Sequence, residues 1–251
     1  MSLPDTRGPW DRLRRFTPAR IGLARAGAAV ATAEHLAFQL AHAQARDAVH
    51  APFDAAGLAD ELSGRQFAVV RLASAAPDRA AYLMSPDLGR RLADAARWRL
   101  AELACDFACD VALVVTDGLS ALAVHRHAVA VISALAARLP KGIDIGTIAV
   151  VERGRVAVGD EIGAALNAKL AVVLIGERPG LSSPDSLGAY LTWAPKTGCK
   201  DSGRNCVSNI RPEGLGYDAA ADKLAYLITE ALKRRLTGVL LKDESGAALL
   251  P

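Results

Sequence analysis

Short apolar runs recur along the chain, and most of them stop abruptly at glycine or at charged residues. An uninterrupted run of about five apolar residues is typical of a strand that is buried on both faces of a sheet. This pattern predicts strands over residues 67–72, 111–116, 147–152, 170–175 and 237–241. The sharpest break follows residues 170–175, where a loop begins that is rich in glycine, proline, serine and charge.

Longer stretches with helical periodicity separate these runs. Residues 32–50 form the clearest of them, since they are rich in alanine and free of glycine and proline. Thr17 followed by Pro18 also predicts a helix start, with Thr17 as the N-cap. Helices that alternate with strands indicate βαβ units, and hence an α/β fold with a mostly parallel sheet. We therefore predict a helical amino-terminal region over residues 1–105 and an α/β domain over residues 106–251.

The composition fits a globular protein with a large core. The chain has 251 residues, of which 51% are hydrophobic and 23% charged, and its formal net charge is +3. So small a positive excess does not by itself indicate nucleic-acid binding. Residues 1–25 hold six arginines, which leaves two interpretations open: an arm that docks on an acidic surface or on phosphates, and a solvated arm. We expect a cytosolic protein, because the sequence shows neither a secretory signal segment nor a charge-free apolar run of membrane-spanning length.

The cysteines do not have the spacing of a zinc site. Cys105 and Cys109 are four residues apart, whereas Cys199 and Cys206 are seven apart. A site made of four cysteines normally needs two tight pairs. In a cytosolic protein we expect these cysteines to be free thiols.

Polar residues follow three predicted strands at the points where the strands end. These are residues 117–118, 152–156 and 176–178. Because the carboxyl ends of parallel strands share one edge of a sheet, the three segments are expected to line a ligand-binding edge. The alternative is a set of ordinary surface loops, in which the arginines pair with neighbouring glutamates rather than with phosphate. Residues 204–214 form a further polar stretch that is expected to be irregular, as binding loops and lids often are.

Two other kinds of site are less well supported. Neither the glycine-rich dinucleotide fingerprint nor a P-loop follows a strand. Ser120 lies where a hydrolase could carry its nucleophile, and His125 and His127 follow it, but the second glycine of a nucleophile elbow is missing. A serine hydrolase remains an alternative that requires a spatial triad, which the sequence does not supply.

Several long segments resemble the small (light) subunits of ethanolamine ammonia-lyases, and together they extend over nearly the whole chain. They are FTPARIGLARAG (16–27), FQLAHAQARDAVHAPFD (38–54), DVALVVTDGLSALAVHRHAV (110–129), VERGRVAVGDEIG (151–163), LIGERPGLSSPDSLGAYLTWAP (174–195), RNCVSNIRPEGL (204–215) and GVLLKD (238–243). The resemblance implies that residues 106–251 form a Rossmann-like cobalamin-binding domain. It also implies that residues 1–105 pack on a large catalytic subunit.

The resemblance further implies an adenosylcobalamin-dependent lyase that converts ethanolamine to acetaldehyde and ammonia by radical rearrangement. The catalytic residues are then expected on the large subunit, and none in this chain. Carried over from the family, Val156, Glu177 and Cys206 are the expected contacts to the corrinoid. The cofactor is expected to keep its own benzimidazole on cobalt, so this chain should supply no metal ligand.

The resemblance implies a hetero-oligomer with the large subunit, with neither nucleic acid nor a membrane as a partner. It implies a cytoplasmic location and leaves open whether the protein enters a bacterial microcompartment. The alternative is a stand-alone module that binds a corrinoid or a nucleotide without a catalytic partner. Co-purification with a large barrel subunit would distinguish the two.

Overall fold

The computed structural model describes residues 10–17, 19–103 and 109–245. The helices in this part of the chain are α1 (Trp10–Arg14), α2 (Thr32–His50), α3 (Ala55–Gly64), α4 (Arg79–Met84), α5 (Asp94–Leu103), α6 (Ala121–Ala136), α7 (Val158–Ala165) and α8 (Tyr217–Arg234). The strands are β1 (Arg25–Ala26), β2 (Ala29–Val30), β3 (Val69–Ala73), β4 (Val111–Thr116), β5 (Ile148–Glu152), β6 (Leu170–Gly176), β7 (Leu187–Trp193) and β8 (Arg204–Ile210). None of these helices is both long and apolar enough to cross a membrane.

Six of the strands form one sheet in the order β3-β5-β4-β6-β7-β8. The first four strands in this order run parallel, and β7 and β8 continue the sheet beyond β6 as antiparallel strands. The registers place Val114 of β4 between Ala149 of β5 and Val173 of β6. The predicted α/β fold with a mostly parallel sheet is thereby confirmed.

The central strands are covered on both faces. Every residue of β4 and β6 is buried, which explains why their sequences are unbroken apolar runs. One face packs against α3, α6 and α8, as Leu113 and Ile132 illustrate. The other face packs against α5 and α7, where Val114 contributes to the same cluster as Ile162. This two-sided burial fixes the strand ends relative to one another.

Two strands lie in segments that were expected to be loops. β8 occupies much of residues 204–214, and β7 precedes it in the segment between β6 and β8. The expectation of an irregular 204–214 was therefore wrong. β8 has no continuous apolar run, because only Arg204, Val207 and Ile210 are buried and the residues between them are half-buried or exposed.

Two further element predictions were wrong. Residues 237–241 do not add a strand, since Gly238 has a φ of +80° and begins a 3₁₀ turn that ends at Leu240. The helix expected to begin at Thr17 is not found over residues 19–24. The Thr17 hydroxyl instead accepts a hydrogen bond of 3.1 Å from the backbone N–H of Ala19, which forms a tight local turn. Pro18, the expected first helical residue, lies outside the described residues.

The amino-terminal third contributes an edge strand to the sheet. β3 pairs with β5 from Val69 beside Ile148 to Ala73 beside Glu152. By contrast, the 19-residue α2 buries only two alanines, and most of its surface is exposed. The predicted boundary between residues 105 and 106 falls outside the described residues.

Candidate functional site

A cleft opens at the carboxyl ends of the central parallel strands. β4 and β5 are neighbours, and the helices that follow them, α6 and α7, pack on opposite faces of the sheet. Where the helices that follow two neighbouring parallel strands go to opposite faces of the sheet, a crevice forms outside the strand ends. Ligands of open α/β sheets bind in such crevices. The cleft has a volume of about 460 Å³, and Gly118, Val156 and Glu177 all line it. The three strand ends that were predicted to share one edge are therefore brought together.

The end of β4 lies directly against the end of β6. Gly118 has a φ of +52°, and a Cβ at this position would lie 2.3 Å from the carbonyl oxygen of Gly176. The backbone N–H of Leu119 donates to the same carbonyl oxygen at 2.9 Å. Only glycine combines this backbone conformation with so close an approach. The contact closes the base of the cleft.

Asp117 joins the strand ends to the amino-terminal region. Its carboxylate accepts hydrogen bonds from the backbone N–H of Arg153 at 2.6 Å and from the Arg79 guanidinium at 2.9 Å. Arg79 also donates to the carbonyl oxygens of Val49 and Gly118. Burial raises the pKa of Asp117 to about 6, although the charge of Arg79 and the backbone hydrogen bond from Arg153 oppose that shift. The carboxyl group thus connects the ends of β4 and β5 to Arg79 of α4 through hydrogen bonds.

Tyr82 and Arg155 form one wall of the cleft. The Arg155 guanidinium carbon lies 4.6 Å from the centre of the Tyr82 ring, and the guanidinium donates to the Tyr82 carbonyl oxygen at 3.1 Å. The Tyr82 hydroxyl donates to the carbonyl oxygen of Gly154 at 3.2 Å. Burial is the main cause that raises the pKa of Tyr82 to about 12, so the phenol is neutral.

The arginines near the strand ends have different surroundings. Arg153 forms an ion pair of 2.8 Å with Glu152, which is one of the two interpretations that the sequence left open. Arg155 is held by Tyr82, and Arg178 is exposed at the rim of the cleft.

The floor of the cleft is a part of the sheet that helices leave uncovered. Side chains alternate along β7, so Gly188, Tyr190 and Thr192 share the face on which α7 packs. The α7 helix reaches this face near Thr192, because Arg204 of β8 bonds both to the Thr192 hydroxyl and to Asp160 of α7. Gly188 and Tyr190 lie beyond that contact, and Tyr190 lines the cleft.

Glu177 is fixed at the meeting point of β6, β7 and β8. Its backbone N–H donates to the Ser186 carbonyl oxygen at 2.9 Å. Its Oε2 accepts a hydrogen bond from the Ser186 hydroxyl and another, of 3.2 Å, from the backbone N–H of Asn209. The side chain lies over Gly188, where a Cβ would come within 2.7 Å of Oε1. Glu177 therefore reaches the cleft with one carboxylate oxygen held in place.

The other two predicted contact residues differ in their relation to the cleft. Val156 lines the cleft, and its backbone N–H makes no hydrogen bond to any other described residue. Cys206 does not line the cleft, but it is paired across the two antiparallel strands with Tyr190, which does. Burial of the sulfur raises the pKa of the Cys206 thiol, although the residue as a whole is exposed. This thiol is therefore protonated and not a reactive thiolate.

Ser120 is a helix cap rather than a nucleophile. Its hydroxyl donates to the carbonyl oxygen of Pro184 at 3.0 Å and accepts a hydrogen bond from the backbone N–H of Ala123 at 3.3 Å. His125 accepts a hydrogen bond from the backbone of Asp54, and His127 is hydrogen-bonded to the Tyr217 hydroxyl. Among the described residues, no histidine is hydrogen-bonded to Ser120, so the serine hydrolase alternative has no triad.

Tyr82 and Tyr190 line the cleft but were not predicted from the sequence, and neither was the place of Gly188 beneath Glu177. Ser186, by contrast, lies in the polar loop after residues 170–175 that the sequence had singled out. Tyr190 and Gly188 depend on β7, which was mistaken for part of a long loop. The apolar segment at residues 187–193, with its β-forming tyrosine, leucine, threonine and tryptophan, was the available signal for this strand.

The described part of the chain holds no evident metal centre. Within residues 10–17, 19–103 and 109–245, no group of three or more histidine, cysteine, aspartate or glutamate side chains could hold a metal ion. Cys109, Cys199 and Cys206 are free thiols, and Cys105 lies outside the described residues.

The sheet, the crevice at its strand ends and the polar groups around it define an α/β protein with a candidate ligand-binding cleft. Comparison with known proteins narrows this class. The model of the ethanolamine ammonia-lyase light chain (EutC) family matches residues 7–242, and the chain belongs to this family. The resemblance noted in the sequence is thereby confirmed.

The chain also matches individual proteins named as ethanolamine ammonia-lyase small subunits, over nearly the whole length of each. The chain is 58% identical over 250 residues to an ethanolamine ammonia-lyase small subunit from Azotobacter vinelandii, covering 98% of this chain and 93% of the relative. It is 56% identical over 252 residues to the small subunit from Ralstonia nicotianae, covering 98% and 92%. For the small subunit from Pseudomonas aeruginosa the identity is 55% over 253 residues, covering 99% and 93%.

Proposed function

We propose that this protein is the small subunit of an adenosylcobalamin-dependent ethanolamine ammonia-lyase, and that its cleft contributes part of the cobalamin site. The observation that carries the proposal is the match to one family over residues 7–242. The cleft adds support, because it lies at the strand ends from which the family contacts Val156 and Glu177 come. The substrate class is then ethanolamine, and the products are acetaldehyde and ammonia.

The residues around the cleft fit a corrinoid. The rim of a corrin ring carries primary amides, which both donate and accept hydrogen bonds. Glu177 offers the acceptor Oε1, and Val156 offers a backbone N–H that has no other acceptor among the described residues. Tyr190 of the sheet lines the cleft, and Cys206 is paired with it on the neighbouring strand β8. The cleft is open, as a site shared between two subunits requires.

The chemistry is divided between cofactor and protein. When bound, adenosylcobalamin supplies the radical that drives the rearrangement of ethanolamine. Val156, Glu177 and Cys206 bind and orient the corrinoid, and no residue of this chain acts as a catalytic acid or base. By this proposal, the chain would contribute no ligand to cobalt.

The exposed apolar surface of the amino-terminal region supports a large-subunit partner. The side chains that carry it are Trp10, Leu13, Phe16, Leu36, Phe38 and Leu40. Phe16 is 84% exposed, and a large exposed apolar area often marks a protein interface. We therefore assign residues 1–105 to the contact with the large subunit and residues 106–251 to a Rossmann-like cobalamin-binding domain. The assembled enzyme is a cytoplasmic hetero-oligomer, with or without a microcompartment around it.

Binding of adenosylcobalamin tests this proposal. The chain alone, and the chain mixed with the large subunit, are each passed over a gel-filtration column, and bound cofactor is read from visible absorbance. Tight binding in the mixture, with ammonia released from ethanolamine, is the expected result. Tight binding by the chain alone would instead indicate a stand-alone corrinoid module. No binding in either sample would contradict both functions.

A further inference from the structure

The two oxygens of the Glu177 carboxylate have unequal surroundings. Oε2 accepts hydrogen bonds from the Ser186 hydroxyl and from the Asn209 backbone N–H. Oε1 accepts none from the described residues, although Glu177 lines the cleft. The carboxylate is thus anchored on one side and available on the other.

Two features restrict how this carboxylate can turn. The Ser186 side chain is buried, so its hydroxyl has few alternative partners and remains directed at Oε2. Gly188 lies below the side chain, and a Cβ there would come within 2.7 Å of Oε1 and 3.0 Å of Cγ. The absence of a side chain at Gly188 is what permits Glu177 to lie flat on the sheet. The geometry presents Oε1 as a fixed acceptor.

We propose that Ser186 is a positioning residue for Glu177, and that the pair makes this part of the cleft selective for a hydrogen-bond donor on the ligand. The inference rests on the proposed function and deepens it. A carboxylate has only acceptors, so its ligand partner must supply an N–H or O–H. A primary amide on the corrin rim satisfies this requirement, whereas a ligand carboxylate in the same place is repelled.

The test measures ligand selectivity in the assembled enzyme. The probes are cyanocobalamin and the monocarboxylic acids made from it by hydrolysing one side-chain amide at a time, and binding is measured by equilibrium dialysis and visible absorbance. With the unaltered chain, we expect one of the acids to bind roughly tenfold or more weakly than cyanocobalamin. Ser186→Ala should weaken cyanocobalamin binding about threefold to tenfold, as loss of one hydrogen bond to a carboxylate predicts. Ser182→Ala, the same change at an exposed serine of the same loop, should bind like the unaltered chain.

Glu177→Gln provides a second variant that does not disturb the buried serine. A glutamine amide can donate to a ligand carboxylate, so this variant should narrow the gap between cyanocobalamin and the disfavoured acid. A purely structural role for Ser186 or Glu177 would not change that ratio.

Two outcomes would overturn the inference while leaving the function intact. In one, every acid binds the unaltered complex as tightly as cyanocobalamin does. In the other, Ser186→Ala matches Ser182→Ala. Failure of the unaltered complex to bind any cobalamin would overturn the proposed function itself, and the inference with it.

Discussion

Arg204 and Asp160 form a buried ion pair that fastens β8 to α7. The two guanidinium nitrogens of Arg204 donate to the two carboxylate oxygens of Asp160 at 2.6 and 2.7 Å, and each side chain is 2% exposed. The pair covers one end of the sheet face whose other end forms the floor of the cleft. It therefore sets how far α7 extends over that face.

Asp160→Ala should destabilise the protein by about 3 kcal/mol, because it removes the buried carboxylate that Arg204 contacts with two hydrogen bonds and leaves only the exposed Asp201, 3.4 Å away, as an ionic partner. The free energy of unfolding, measured by urea denaturation, checks this value. Glu61→Ala is the matched control, since Glu61 pairs with Arg65 at 3.3 Å and both side chains are half exposed. Loss of such a surface pair should cost less than about 1 kcal/mol. Equal losses in the two variants would mean that the buried pair contributes no more than the exposed one.

Glu177→Ala should weaken adenosylcobalamin binding to the assembled enzyme by about 1–3 kcal/mol, the scale of one buried polar contact left unsatisfied. The dissociation constant, measured by titration of visible absorbance, checks the prediction. The chemistry of the loaded enzyme should remain recognisable. Glu230 of α8 does not line the cleft, so Glu230→Ala removes the same charge and should leave the constant unchanged. An unchanged affinity in Glu177→Ala would remove this residue from the site.

The raised pKa of Asp117 predicts a pH dependence of stability. A folded-state pKa of about 6 lies above the ordinary value of 3.8, so between these values the folded protein binds more protons than the unfolded chain. The contribution of Asp117 is therefore greatest below about pH 4 and is lost as the pH rises through about 6. The full change is about 3 kcal/mol.

Urea unfolding of the unaltered protein and of Asp117→Asn at several pH values measures this contribution. The stability of the unaltered protein relative to the variant should fall by about 2 kcal/mol between about pH 4 and about pH 7, which is most of the full change. A difference that stays constant over this range would show that Asp117 titrates at its ordinary pKa.

Ser120→Ala should destabilise the protein by about 1 kcal/mol through loss of the α6 cap. It should leave the release of ammonia from ethanolamine by the assembled enzyme intact, because the hydroxyl contacts Pro184 and Ala123 rather than a histidine. Thermal melting and an ammonia assay on the same preparation separate the two effects. Complete loss of activity in a folded variant would show that Ser120 does more than cap α6.

The central strands and the strand-end edge could be predicted because burial on both faces leaves an unmistakable apolar run, as in β4 and β6. β8 could not, since Asn205, Cys206 and Ser208 interrupt its apolar positions. β7 was missed although its apolar segment at residues 187–193 was a signal for a strand. The short apolar segment at residues 237–241 led to the prediction of a strand that does not form, because the positive φ of Gly238 turns the chain there.

The site residues on strands that the sequence reveals could be placed, whereas those that depend on β7 and β8 could not. Val156 and Glu177 lie on connections that leave strands visible in the sequence, and their place at one edge followed from the parallel sheet. Ser186, Gly188 and Tyr190 border the site only because β7 folds back antiparallel on β6, a pairing that local pattern does not encode. As corrinoid contacts, Val156, Glu177 and Cys206 were all carried over from the family resemblance, and the proximity of Cys206 to Tyr190 depends on the β7–β8 register.

The glycines at the base of the cleft affect how its shape responds to amino-acid substitutions. Gly188 and the close contact of Gly118 with Gly176 define the base by main-chain atoms, which move little when neighbouring side chains are replaced. The depth of the cleft is therefore robust to most substitutions, whereas its walls at Tyr82, Val156 and Glu177 can be reshaped one side chain at a time. Variants that admit ligands of altered width should thus arise from the walls, with the base kept as it is.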